Sequence, residues 1–391
     1  MKNILTALLV GITLQTANAQ KPQKVQPYSR EQNPITWYKE QAEAWKKVLD
    51  KNPKDAAAWY NYYYATRLLL RMNPEEKRTE EQKNEVFNKI AADMEKQLPH
   101  SYEYNMIKWL IGGSDMKYVP YLKKAEEIAS NRIEHLDGMI NLAEIERDVA
   151  ARDRYSKKKY EAGDLSAGML SYNYNTLIGL EPNAILITSG DNDTYPAYAL
   201  QALGIRKDVH VVNVSLMQID EYRDRVFKEI GLEPWEKLWG NTHSANEAAL
   251  QRFHKGIIRY MANNSKKYPL YLALTASYLT DKTDPPVESE LYVTGLSMRY
   301  SKVPVDNIAF MKKNIEQLYA LDYLDKHFSP DISADLVKQI NMNYIIPMLK
   351  LYEHYKLSGD SQRRAWIEEK IHIISDGTEI EEKVKTYLAE G

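Results

Sequence analysis

Pro182-Asn183-Ala184-Ile185-Leu186-Ile187-Thr188-Ser189-Gly190-Asp191-Asn192-Asp193-Thr194-Tyr195-Pro196 is the stretch that decides the fold. Residues 184–188 form a short, unbroken apolar run closed off by Pro182 and Gly190, the pattern of a strand buried on both faces. A helix is predicted over about 195–203, and Val209-His210-Val211-Val212-Asn213-Val214 then repeats the strand pattern. Strand, short helix, strand makes a right-handed crossover and a parallel pair the expected arrangement. Farther on, a helix over about 246–263 precedes a third strand at 270–275, and residues 290–300 hold a fourth, interrupted at Gly295. Residues 165–302 therefore read as a small, Rossmann-like α/β domain with a parallel sheet.

The flanks read differently. Upstream, residues 37–49 and 56–71 form two helical patterns separated by Asn52-Pro53-Lys54-Asp55, with Asp55 placed to cap the second. Trp59, Tyr62, Tyr63 and Ala65 fall where tetratricopeptide repeats place packing residues, although Tyr63 stands where that repeat prefers a small one. Helical periodicity recurs over 81–97, 118–130 and the run carrying Met139, Ile140, Leu142, Ala143, Ile145 and Val149. Amphipathic pairs of this kind bury their apolar faces by stacking, so residues 35–164 read as a domain of tetratricopeptide-like hairpins. Downstream, 303–391 returns to helices, closing with a pair over 344–357 and 361–374 joined by Ser358-Gly359-Asp360. The expected fold class is α/β plus all-α.

A chain of 391 residues exceeds what one hydrophobic core usually supports, so several units are expected. With 52 basic and 54 acidic residues, the net charge of −2 provides no single-sign field to gather nucleic acid or anionic lipid. Cysteine is absent, which excludes disulfides, thiolate metal sites and a thiol nucleophile. Lys2, the apolar run 4–14 and the small residues Ala17 and Ala19 read as a signal peptide over 1–19, cleaved after Ala19. Residues 20–34 follow as a polar, flexible lead. That apolar run is about eleven residues against the roughly 20 a bilayer-spanning helix needs, and no later stretch approaches it. The expectation is an exported protein, periplasmic or secreted, with no membrane span.

Candidate site residues cluster in the turn after the first strand, where open α/β sheets bind ligands. Asp193 or Thr194 can cap the following helix, Pro196 suits its first turn, and Gly190 permits a sharp bend. The same turn can instead direct the oxygens of Asp191, Asn192 and Asp193 toward a cleft, for sugar hydroxyls or a hard cation. A calcium loop is disfavoured, because the turn glycine and distant bidentate glutamate of an EF-hand are missing, so no metal and no cofactor are expected. Asp220 and Glu221 follow the second strand, either as the opposite lip of that cleft or as a solvated helix start. Asn213, inside a buried strand, requires hydrogen-bond partners. His243 and His254 lack a carboxylate at ligand spacing, and Trp235 and Trp239 read as a packing pair or a sugar-stacking pair.

Residues 182–216 carry a more specific signal. The opening Pro182-Asn183-Ala184-Ile185-Leu186, the core Gly190-Asp191-Asn192-Asp193-Thr194-Tyr195-Pro196, Leu203-Gly204-Ile205-Arg206-Lys207-Asp208-Val209 and Val212-Asn213-Val214-Ser215-Leu216 resemble one known region. It is the soluble C-terminal region of bacterial multi-spanning membrane proteins of the protein O-mannosyltransferase-like kind, and the likeness continues more loosely to about residue 300. The resemblance implies an extracytoplasmic accessory domain with Asp191, Asn192, Asp193 and Thr194 as its matching loop. It does not carry over the transfer reaction, which belongs to the membrane part of those relatives.

No Walker loop, dinucleotide-binding glycine turn, H-E-x-x-H helix or nucleophile elbow occurs; Gly295-Leu296-Ser297-Met298-Arg299 fails the last at its final position. The leading expectation is a non-catalytic scaffold or binding protein recognising a protein or glycan partner in the cell envelope, linked to glycosylation. The alternative is a sugar-active enzyme using Asp191 and Asp193. Two carboxylates on one loop seldom span the roughly 5–10 Å between glycosidase carboxyl groups, so it would need Asp220 or Glu221 as a distant partner.

Overall fold

A computed structural model describes residues 21–113, 115–235, 247–280, 290–326 and 330–390. The expected signal peptide, Trp239 and His243 lie outside these residues. The described chain forms two compact units, one of residues 21–26 with Asn33–Ile128, the other of Pro27–Gln32 with residues 129–390.

In the first unit, α1 (Ile35–Lys51) and α2 (Ala56–Met72) pack along each other as a hairpin. The Asp55 carboxylate caps α2 by accepting from Ala58 N at 2.9 Å, and Trp59 Nε1 donates to Pro53 O at 2.9 Å, so the turn is fixed from both sides. Helices α3 (Glu80–Glu95) and α4 (Tyr102–Gly112) both pack on α2, followed by α5 (Val119–Ile128). Thr79 and Gln82 close a capping box at the start of α3. With neighbours on several sides, α2 buries residues nearly all round, including Tyr60, Tyr63, Tyr64 and Leu68. Residues 21–26, expected as a flexible lead, are tied down instead. Val25 is 2% exposed and its N–H donates to Asn61 Oδ1 at 2.8 Å, while Gln23 is held by Gln41 and Trp45. A buried valine with paired backbone overrides polar composition.

The second unit begins with α6 (Leu136–Glu146) and α7 (Val149–Glu161), so the helical region read as 35–164 is divided between the two units. The single helix expected across Met139–Val149 breaks at Arg147, whose φ of 57° ends α6, and Asp148 then caps α7. After α8 (Ala167–Ile178) come β1 (Ile185–Thr188), α9 (Asp191–Ala202), β2 (His210–Asn213), α10 (Asp220–Ile230), α11 (Glu247–Asn264) and β3 (Leu270–Ala273). The sheet order is β2-β1-β3-β5-β4. β1 pairs in parallel with β2 (Ile185 with His210) and with β3 (Ile185 with Leu270).

The fourth strand is in fact two, and the sheet is mixed rather than parallel. β4 (Leu291–Val293) and β5 (Ser297–Tyr300) pair antiparallel, and β5 also runs antiparallel to β3. Gly295 reverses the chain between them at φ 143°, a backbone state open chiefly to glycine. Ile185, Ile187, Val212 and Leu272 share one core with Tyr222, Val226 and Phe227 of α10 and Ile257, Ile258 and Met261 of α11. A second core joins Met169 and Tyr172 of α8 to the C-terminal helices, through Tyr344, Met348, Leu351, Ile367 and Ile371. Among the described residues, no helix is long and apolar enough to cross a membrane.

Candidate functional site

β1 sends its chain to β2 on one side and pairs with β3 on the other, so the carboxyl ends of β1 and β3 flank the point where the strand order switches. The turn quoted above lies there. Helix α9 starts at Asp191, four residues earlier than expected, with Gly190 (φ 99°) as its N-cap and no side-chain cap bond. Neither Asp193 nor Thr194 caps it. Asp193 occupies the third helical position and its Oδ2 accepts from Ser189 N at 2.8 Å, tying the helix start to the end of β1. Pro196 consequently sits in the second turn, where it has no N–H for the Asn192 carbonyl. Asn173 Nδ2 of α8 donates to that carbonyl at 2.8 Å instead.

The four loop residues face different surroundings. Asp193 and Thr194 are buried, while Asn192 is half-buried and Asp191 exposed. Asp193 Oδ2 also accepts from Thr275 Oγ1 at 2.6 Å, so this carboxyl joins the segments that follow β1 and β3. Burial without a basic partner pushes it up to about 7, against the hydrogen bonds from Ser189, Thr275 and Thr194, which pull it down. Thr194 Oγ1 lies 2.8 Å from Thr188 Oγ1 and accepts from Asn213 Nδ2 at 3.0 Å. Asn213 Oδ1 in turn accepts from Ser215 N at 2.8 Å, so its expected partners are all internal. Asp191 and Asn192 line a small cleft with Tyr195, Arg30, Lys159 and Asp164. There Lys159 Nζ bridges Asp137 (2.7 Å) and Asp164 (2.6 Å).

Asp220 and Glu221 begin α10 and do not line that cleft. Asp220 pairs with the buried Arg223 at 2.6 Å, and Arg223 also donates to Met217 O at 3.1 Å. Glu221 is exposed. Trp235 packs against Phe253 and Tyr260 with Arg223 over its ring, a core contact. His254 is buried, and desolvation lowers it to about 4.

Two participants were not legible as site residues. Tyr278, 64% exposed in the segment after β3, shares a 2.8 Å hydrogen bond with Ser189 at the mouth of the switch point. Tyr172 of α8, fully buried, is held well above its usual range by burial first, with the Asp193 charge adding to it. Both come from segments remote from the loop in sequence, and only the pairing of β1 with β3 and the packing of α8 on α9 bring them there.

The turn that follows β1 thus stands at the carboxyl edge of an α/β sheet, beside a small cleft. Residues 169–346 match the model of TMEM260-associated domain 2, a stretch that takes in α8 and the whole sheet and links this part of the chain to TMEM260 proteins. No curated protein matches the chain significantly.

Proposed function

We propose that the chain is an exported, non-catalytic binding protein of the cell envelope that recognises a protein or glycan partner in support of glycosylation. In this reading a Rossmann-like unit supplies a glycan-contacting edge, and tetratricopeptide-like hairpins supply a second surface. The observation that carries it is the exposed, hydrogen-bonded Tyr278–Ser189 pair over the carboxyl ends of β3 and β1. An exposed aromatic ring beside fixed hydroxyls suits the apolar face and hydroxyl rim of a sugar. The family match over this segment and the resemblance to O-mannosyltransferase-like proteins favour a glycan over other small ligands. Thermal unfolding against mannose-containing oligosaccharides tests it, because a ligand that binds only the folded state raises the melting temperature. The parent is expected to shift and Tyr278→Ala to lose the shift; equal shifts in both would remove Tyr278 from the site.

A sugar-active enzyme is the second reading, favoured by the Asp193 carboxyl near 7, a range suited to a general acid. Here Asp193→Asn would abolish glycoside turnover while leaving the fold intact. Turnover retained in that variant would refute it.

A further inference from the structure

Tyr63, the residue that departs from the tetratricopeptide pattern, lies in the first unit on the same helix as Arg67 and Arg71. Its ring packs edge-on against buried Phe87 of α3 at 5.7 Å, and its hydroxyl is buried with no hydrogen-bond partner among the described residues. Arg67 and Arg71 follow on the same face of α2, one and two turns on. Both are half-buried, both have an Nε without a partner, and neither makes an ion pair among the described residues. The Arg71 guanidinium lies over the Phe87 ring at 5.5 Å. Burial and the Arg67 charge both depress Arg71, while Tyr63 and Glu80 act in the opposite sense. Glu80, the carboxylate felt there, is already paired with Lys83 at 2.8 Å. The Asn84 carboxamide of α3 also has a buried, unpartnered oxygen, and its N and O ends interchange by a simple flip.

Two half-buried guanidiniums on one helix face, without an ion pair among the described residues, suit a pair of carboxylates. We infer that Arg67 and Arg71 make the helical unit a docking site for an extended acidic peptide segment, held through carboxylates on alternate residues. Arg67 and Arg71 are separated along α2 by about 6 Å. Alternate side chains of an extended strand are about 6.5–7 Å apart and point the same way, so one carboxylate meets each guanidinium. Tyr63, fully buried against Phe87, is out of reach of a docked peptide. This docking site deepens the binding-protein reading by naming the partner chemistry of the helical unit. Its residues and probe are separate from those of the strand edge, so either can fail alone.

Isothermal titration of the whole chain with a capped hexapeptide alternating serine and glutamate tests the site, with the serine–glutamine peptide and inorganic phosphate as comparison arms. Binding of the glutamate peptide only, weakened about tenfold or more by Arg67→Gln with Arg71→Gln and unchanged by Tyr63→Phe, is expected. The double variant is expected to keep or raise the melting temperature, since two adjacent like charges are removed. Absence of binding by the parent, equal affinity for both peptides or phosphate binding as well as the peptide would overturn the inference. So would unchanged affinity in the double variant, or a lowered melting temperature marking the arginines as structural.

Discussion

Asp193→Asn tests how the switch point is held together. A carboxyl that is fully buried without a cation, and whose value rises from 3.8 to about 7, binds its proton more tightly in the folded chain than in the unfolded one. Its contribution to stability is therefore fully present below about 3.8 and is lost as pH rises through about 7. Between pH 5 and pH 8 the interval up to the folded value is about 2 units, which corresponds to roughly 3 kcal/mol of stability lost by the parent through this group. Asparagine retains an oxygen for the Ser189 N–H and the Thr275 hydroxyl but carries no proton to lose. The variant is expected to be close to the parent at pH 5 and more stable by up to about 3 kcal/mol at pH 8. Urea unfolding of both proteins at the two pH values measures this, and taking the difference cancels His254 and every other titrating group. An identical pH dependence in parent and variant would refute the reasoning, as would an equal loss at both pH values.

His254 titrates in the opposite sense: it is lowered to about 4, so its contribution is present above about 6.5 and is lost as pH falls toward 4, and His254→Gln should flatten that acid limb in thermal melts. Asn173→Ala leaves the Asn192 carbonyl without its donor and should cost about 1–3 kcal/mol in chemical unfolding, with much of the loss recovered when Pro196→Ala restores an N–H to α9. Glu144→Gln unbalances a buried carboxylate that pairs with Arg147, with Arg152 at 2.9 Å and with the Tyr222 hydroxyl at 2.9 Å. A loss of about 3–5 kcal/mol is expected by denaturant titration. Gly295→Ala should lower the melting temperature sharply, because its φ of 143° excludes other residues and its new methyl group would collide with the Tyr319 hydroxyl.

The order of elements was legible because unbroken apolar runs such as Ile185–Thr188 and capped helical repeats such as Asp55 with α2 are set by neighbouring residues. The hairpin at Gly295 was not, since an interrupted strand and two short antiparallel strands share one local pattern. The start of α9 was misplaced because Pro196 looks like a first-turn residue. Only Asn173, from another helix, makes a proline in the second turn tolerable. The loop was legible as a place, yet the division of labour within it was not. Local sequence does not reveal that Thr275, 82 residues on, would meet Asp193. The fastening of Val25 by Asn61 was hidden for the same reason.

The register that sets Ile185 beside Leu270 also bears on the order of folding. β1 and β2 meet across about 25 residues, whereas β1 and β3 meet across about 85, and the longer closure costs about 1 kcal/mol more in chain entropy. The β1–α9–β2 segment can thus form early, while the junction of Ser189, Asp193, Thr275 and Tyr278 exists only once the longer loop has closed. Any nascent chain halted before residue 270 lacks that junction altogether.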